Sequence, residues 1–312
     1  MSKKKNISLK IVLFLSIILL LTGCTTQLKD SKGKVIKDET TGQTLTENIL
    51  CQPTSKSAIE IYEKNKVKID KLPKCENFKI NSGKYEGLWN SLFVKPLSFA
   101  LIKIGQLVKN YAVSLIIITL IIRMIVFPLT LNMAKQAKIM KEVQPELEKL
   151  QKKYAKKEQT QENMMKQNQE MMAIYKKYNI NPALGCIFSF IQLPLFIAFF
   201  EAIQRTPAIY EDFFLGLHLG TTPSVGFQSA TFYSYIILVV LIGATTFFSF
   251  KMNQTDMSGN PSMKYMPIMM TVMIIMMGFV MPSGLGIYWV TSNVFTIVQN
   301  AIVGRRKKNE RA

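Results

Sequence analysis

Arg123 stands about two thirds of the way through an apolar run at 111–131, and it is the residue from which chemistry is read most directly. An arginine near the middle of a membrane helix costs about 2.5–3.5 kcal/mol on insertion scales, so it usually faces water or a polar guest. Thr119 lies one helical turn earlier on the same face, and the pair would form a joint polar patch. Gln192, Tyr288, Ser292 and Gln299 add polar atoms at membrane depth, the last three on one helical face. Hydrogen bonding between helices explains any one of them, whereas several together with Arg123 suit a shared hydrophilic groove. Snorkelling is the alternative for Arg123, whose head could reach the end of its run, about 12 Å away along the helix. The apolar runs contain no Asp and one Glu, Glu201. A coupled ion transporter ordinarily keeps an acidic partner in the membrane.

Other chemistry has no visible carrier. The four cysteines form no CxxC pair and have no zinc-like spacing, and the single histidine, His218, lies in a loop. Phosphate-loop, zinc-protease and nucleophile-elbow motifs are missing, so the sequence points to no enzyme, no metal and no cofactor.

The elements that would position these residues emerge from a blocky pattern. With 48% hydrophobic residues and 39 Lys and Arg in 312, apolar blocks alternate with lysine-rich ones, as in a membrane protein. Residues 1–23 read as a signal peptide: lysines at 3, 4, 5 and 10, then the apolar run 11–21, about 16 Å of helix and too short to span a bilayer. Leu21-Thr22-Gly23-Cys24 then reads as a lipobox that makes Cys24 a lipidated first residue; the bland alternative is an incidental cysteine. Residues 24–84 read as a poorly ordered or small extracytoplasmic segment, with Cys51 and Cys75 either paired or free. Residues 85–110 mix Trp89, Phe93, Leu97, Phe99 and Leu101 with Lys95 and Lys103, as an interfacial amphipathic helix would.

The expected fold is an all-α polytopic membrane protein, with five transmembrane helices at 111–131, 184–204, 230–250, 265–281 and 285–303. Pro282-Ser283-Gly284 suits a tight turn between the last two. The segment 132–183 holds eleven Lys and the tail from Arg305 five Lys and Arg, whereas 205–229 holds only Arg205. Charge bias therefore puts 132–183, the loop 251–264 and the tail 304–312 in the cytoplasm, and 205–229 outside. The formal charge of +19 is then a topological signal, with no specific nucleic-acid partner implied.

Within 132–183, Met140, Val143, Leu147, Leu150 and Tyr154 form one stripe, and Met164, Asn168, Met171, Tyr175 and Tyr178 a second. Two such stripes predict a cytoplasmic helical hairpin, with Pro145 kinking or starting its first arm. The hairpin is either a charged topological face or a docking arm. Eight of the eighteen methionines fall between Met263 and Met281, as an adaptable binding surface or as lipid-facing filler.

Three stretches resemble the YidC-type insertases across roughly 85–303. They are Ile118 to Arg123 with Phe127-Pro128-Leu129-Thr130; Asn181-Pro182 with Gly185-Cys186 and Ile191-Gln192-Leu193-Pro194; and Pro282 to Leu285 with Tyr288-Trp289 and Ser292-Asn293. The lipobox looks like the short Gram-positive form. Phe188 departs from the family, where many members have proline. The resemblance implies five helices enclosing a groove open to cytoplasm and lipid, in which Arg123 attracts the acidic outer segment of a client. It also implies client contacts at Thr119, Tyr288 and Trp289, which join Arg123, Gln192 and Ser292 in the expected groove, and nascent membrane proteins, the Sec translocon, the ribosome and a targeting receptor as partners. A small-solute transporter, a scaffold and a translocon-associated chaperone are the competing readings.

Overall fold

A computed structural model describes residues 25–158, 160–181, 183–253 and 265–309. The expected signal peptide, Cys24, Pro182 and most of the loop 251–264 lie outside the described residues. Its helices are α1 Lys56–Lys64, α2 Lys95–Val108, α3 Tyr111–Ala155, α4 Gln161–Lys177, α5 Ala183–Arg205, α6 Phe232–Asn253, α7 Met266–Val280 and α8 Ser283–Asn309, besides short helical turns. By length and composition, Asn90–Val108, Tyr111–Ala155 and Phe232–Met252 could each cross a membrane, and Met266–Val280 is a shorter apolar helix. The chain divides into two compact units, Met1–Thr119 with Phe190–Ile242 and Met276–Thr291, and Leu120–Ser189 with Gly243–Ile275 and Ser292–Ala312.

In the first unit the N-terminal segment takes the second of its two expected forms, small and ordered. Leu28, Leu45, Ile49, Ala58 and Tyr62 make a core flanked by Ile36, Ile61, Val67, Ile69 and Leu72. Isolated bridges pair Gln27 with Thr46, Lys29 with Val35 and Lys37 with Thr44. Cys51 and Cys75 are disulfide-bonded across 24 residues. Burial of Tyr62 holds its hydroxyl far above the ordinary tyrosine range. Gly42 has φ +69, and a Cβ there would lie 2.6 Å from Thr222 Oγ1, so this turn seats against the loop after α5 only as glycine. That loop contains a two-stranded antiparallel sheet, β1 Phe213–Phe214 and β2 Leu217–His218, which the all-helical expectation did not include.

The stretch read as an amphipathic helix begins with a π-helical turn, Asn90–Val94, and continues as α2. Trp89, Leu97 and Leu101 are buried, as the apolar stripe requires. Lys95 is buried too, its Nζ donating to the carbonyls of Ser82 at 2.7 Å and Lys84 at 3.0 Å. Lys109, at φ 55, ends α2 in the left-handed region, and the amide of Asn110 donates back to the Gly105 carbonyl. Asn110 then caps α3, its Oδ1 accepting from the Val113 amide at 3.0 Å, while Asp212 Oδ2 accepts from the Tyr111 amide.

In the second unit α3 runs on unbroken as part of a 45-residue helix, with Pro128 and Pro145 inside it. Pro145 therefore does not start the hairpin's first arm; the arm is the continuation of the apolar helix. The first stripe is buried as expected. On α4 Met171 and Tyr175 pack on Met140, Val143 and Leu147 as expected, joined by Ile174, whereas Met164 is 45% exposed and Asn168 and, just past the helix, Tyr178 are also exposed. Two polar ties join the arms. Tyr154 and Lys153 donate to Glu170, and Tyr178 and Lys177 donate to Glu146, holding both carboxyls below their usual range.

Candidate functional site

Each unit contains part of the predicted site. In the second unit Arg123 is 6% exposed and donates from Nη2 to Ser292 Oγ on α8. Two turns further along the same helices, Thr130 Oγ1 donates to Gln299 Oε1 at 3.0 Å. Thr296 returns its hydroxyl to the Ser292 carbonyl, and Phe127 meets Phe295 edge to face at 6.1 Å. The opposite side of α8 is also polar: Asn293 Nδ2 donates to Thr246 Oγ1 at 3.0 Å and reaches Thr245 Oγ1 at 3.5 Å. Residues at i and i+4 share a helix face, so Ser292, Thr296 and Gln299 line one side while Asn293 faces α6.

In the first unit Gln192 Nε2 donates to the Tyr288 hydroxyl at 3.2 Å, and the Tyr288 ring stacks on Phe199 with centroids 4.2 Å apart. Trp289 meets Phe196 edge to face at 5.5 Å. Thr119 is buried, and its hydroxyl donates to the Leu115 carbonyl one turn back. The structure thus brings Gln192 to Tyr288 and Arg123 to Ser292. Tyr288 and Ser292 share a face of α8, as the spacing says, but their partners differ: α5 for Tyr288 and α3 for Ser292. Thr296, Thr245 and Thr246 do not stand out in the sequence, and Thr130 and Asn293 enter it only within the stretches that carry the resemblance. Their signal is hydroxyl and amide side chains at three- and four-residue spacing inside apolar runs, where a polar atom needs a partner.

A family model described as the 60Kd inner membrane protein matches residues 103–310. The membrane protein insertase YidC of Oceanobacillus iheyensis is 36% identical over 228 residues, 70% of this chain and 85% of that protein. The chain belongs to the YidC insertase family. The membrane protein insertase YidC of Alkalihalophilus pseudofirmus is 38% identical over 216 residues, 69% of this chain and 81% of that one. The membrane protein insertase MisCA of Bacillus subtilis is 35% identical over 217 residues, 69% and 78% respectively. Among solved structures, an active YidC insertase with its first transmembrane domain resolved matches with a TM-score of 0.50 and 24% identity, over 79% of this chain. At that identity the likeness speaks for the fold alone, and this chain spans about half of that one, 52%. As a YidC-family protein with long apolar helices, the chain is embedded in a membrane.

A second buried cluster, in the first unit, goes beyond the sequence reading. Arg205 at the end of α5 is 0% exposed. Its Nε donates to the Asn48 carbonyl at 2.8 Å, Nη1 to Asn90 Oδ1 and Nη2 to Glu86 Oε2, both at 2.5 Å. Asn48 and Asn90 each donate to the same Glu86 oxygen, and the Leu50 amide donates to the Arg205 carbonyl at 2.8 Å. In the sequence Arg205 is only the lone basic residue of the stretch 205–229.

Proposed function

We propose that the chain inserts and folds integral membrane proteins without covalent chemistry, with Arg123 and Ser292 in the second unit and Thr119, Gln192, Tyr288 and Trp289 in the first as its client-contacting residues. The observation that carries the proposal is Arg123, buried in an apolar helix and turned toward a serine hydroxyl. A guanidinium so placed offers fixed positive charge at membrane depth to a client's acidic or polar outer tail. Polar walls shorten the hydrocarbon path that tail must cross. Release sideways is then driven by the client's own apolar span, which gains about 0.8 kcal/mol per buried CH₂ and outweighs the transfer cost of a short tail.

Around this core, Cys24 bears a lipid as the only covalent addition, the N-terminus lies outside and the tail inside. The basic hairpin and tail dock the ribosome and a targeting receptor, and the chain works alone or beside the Sec translocon. The lysine balance of the short loops supports the orientation. The test is insertion of a short-tailed, single-span client into liposomes holding only this protein. Protease protection that depends on the protein supports autonomous insertion. A client left unprotected overturns it in favour of a translocon-dependent chaperone.

A further inference from the structure

The sheet β1–β2 is held rigidly around a turn that exposes apolar side chains. Leu215 sits at φ 48 and Gly216 at φ 82, and a bulky leucine in the left-handed region is disfavoured. At φ 82 Gly216 suits only a residue that tolerates the left-handed region, and a Cβ there would lie 2.8 Å from Ser234 Oγ, so a side chain would be strained. Four side chains pin the hairpin: Asn110 Nδ2 donates to the Phe213 carbonyl at 3.1 Å, Thr231 Oγ1 to that of Gly216 at 2.7 Å and Ser234 Oγ to that of Leu215 at 2.8 Å, while the Tyr235 hydroxyl accepts from the His218 amide at 3.1 Å. The outcome is that Phe213 is 62% exposed and Leu215 79% exposed. In a water-facing turn these positions would suit Asn, Asp or Gly.

The neighbouring helix α6 indicates the medium that covers the tip. Phe232 and Tyr233 open α6, and with Ile236, Ile237 and Val240 they form an exposed apolar stripe on a helix long and apolar enough to cross a membrane, a surface of the kind that lipid covers. The hairpin is hydrogen-bonded to the start of that helix, so its exposed tip lies beside that apolar stripe. We propose that the Phe213–Leu215 tip is a wedge that enters the bilayer, with lipid acyl chains as its partner, and sets the depth at which α3 and α6 enter the membrane. The face of the membrane from which it enters, the outer one, rests on the orientation proposed above.

The test reconstitutes the full chain carrying Phe213→Trp in vesicles, with the unsubstituted protein as background for Trp89 and Trp289. The expected result is blue-shifted emission, quenched by acyl-brominated phosphatidylcholine and shielded from aqueous acrylamide. Red emission quenched only by acrylamide overturns the proposal and leaves water or a protein partner as the cover. Asparagine tolerates the left-handed region, so Leu215→Asn added to this chain should fold unchanged and yet lower bromolipid quenching by about twofold. Unaltered quenching removes Leu215 from the wedge and overturns the two-residue tip. Bromolipid occupies both leaflets, so the readout is independent of sidedness; protease access to residues 132–183 tests the orientation separately.

Discussion

Arg205 and Arg123 are both withdrawn from solvent, yet they keep different company. Arg205 spends its fork on a carboxylate, an amide oxygen and a backbone carbonyl, and Glu201 Oε2 lies 3.9 Å away. Every one of these acceptors belongs to the chain, and the strap at 48–50 and the start of the π-turn converge on one cation. Arg123 faces a hydroxyl, in a set of apolar runs whose one carboxylate is Glu201. A buried cation matched to a carboxylate is a staple, strongly destabilising to break. A guanidinium stays charged at any working pH, and we propose that this fixed charge on Arg123 is what a client's acidic tail meets. The same residue type therefore does structural work in the first unit and, we propose, recognition in the second.

This contrast breaks first on stability. Arg205→Ala strands Glu86 and Asn90, and should cost about 3–5 kcal/mol, seen as lost hydrogen-exchange protection in residues 25–90. Cys51→Ala frees the strap beside the same staple and should cost about 2–4 kcal/mol on the same readout. Arg123→Ala should leave that protection intact and instead lower insertion of acid-tailed clients by about 10- to 100-fold, the worth of a charge-assisted hydrogen bond. If Arg123→Ala unfolds the chain as Arg205→Ala does, Arg123 is a staple as well and the contrast is gone.

Conservative exchange sharpens it. Arg205→Lys should recover little, since one ammonium cannot span three acceptors held in a fork, whereas Arg123→Lys should retain most insertion because the charge persists. The smallest effect concerns His218. Burial pushes its imidazole below the ordinary value, opposed by Asp38 and Asp212. The unfolded chain then binds the proton more readily, so the penalty is absent above about pH 6.5 and grows as pH falls below it. Acidification should loosen the β1–β2 hairpin by at most about 1.4 kcal/mol per pH unit, and His218→Gln should abolish the slope in hydrogen exchange at residues 213–218.

The hairpin of α3 and α4 marks where sequence reading succeeds and where it stops. The first stripe is legible because Met140, Val143, Leu147, Leu150 and Tyr154 are apolar at helical spacing, and all are buried. The second arm keeps Met171 and Tyr175 of its expected stripe in the seam, but Met164 and Asn168, which fit the period, are exposed, and Ile174, which the stripe left out, packs there instead. Where a helix carries apolar residues on more than one face, periodicity alone does not choose between them; the partner does.

By itself the sequence determined that this chain lives in a membrane, that a charge lies inside an apolar run, and which family it resembles. Hydropathy and motif spacing are properties of neighbouring residues, readable without a fold. The tertiary structure decided that Cys51 meets Cys75, that Arg205 is enclosed by Glu86 and Asn90, 119 and 115 positions away, and that Tyr288 turns to α5 while Ser292 turns to α3. Those pairings join residues distant along the chain. Which polar atom satisfies which is settled only when the helices pack and each buried donor must find an acceptor.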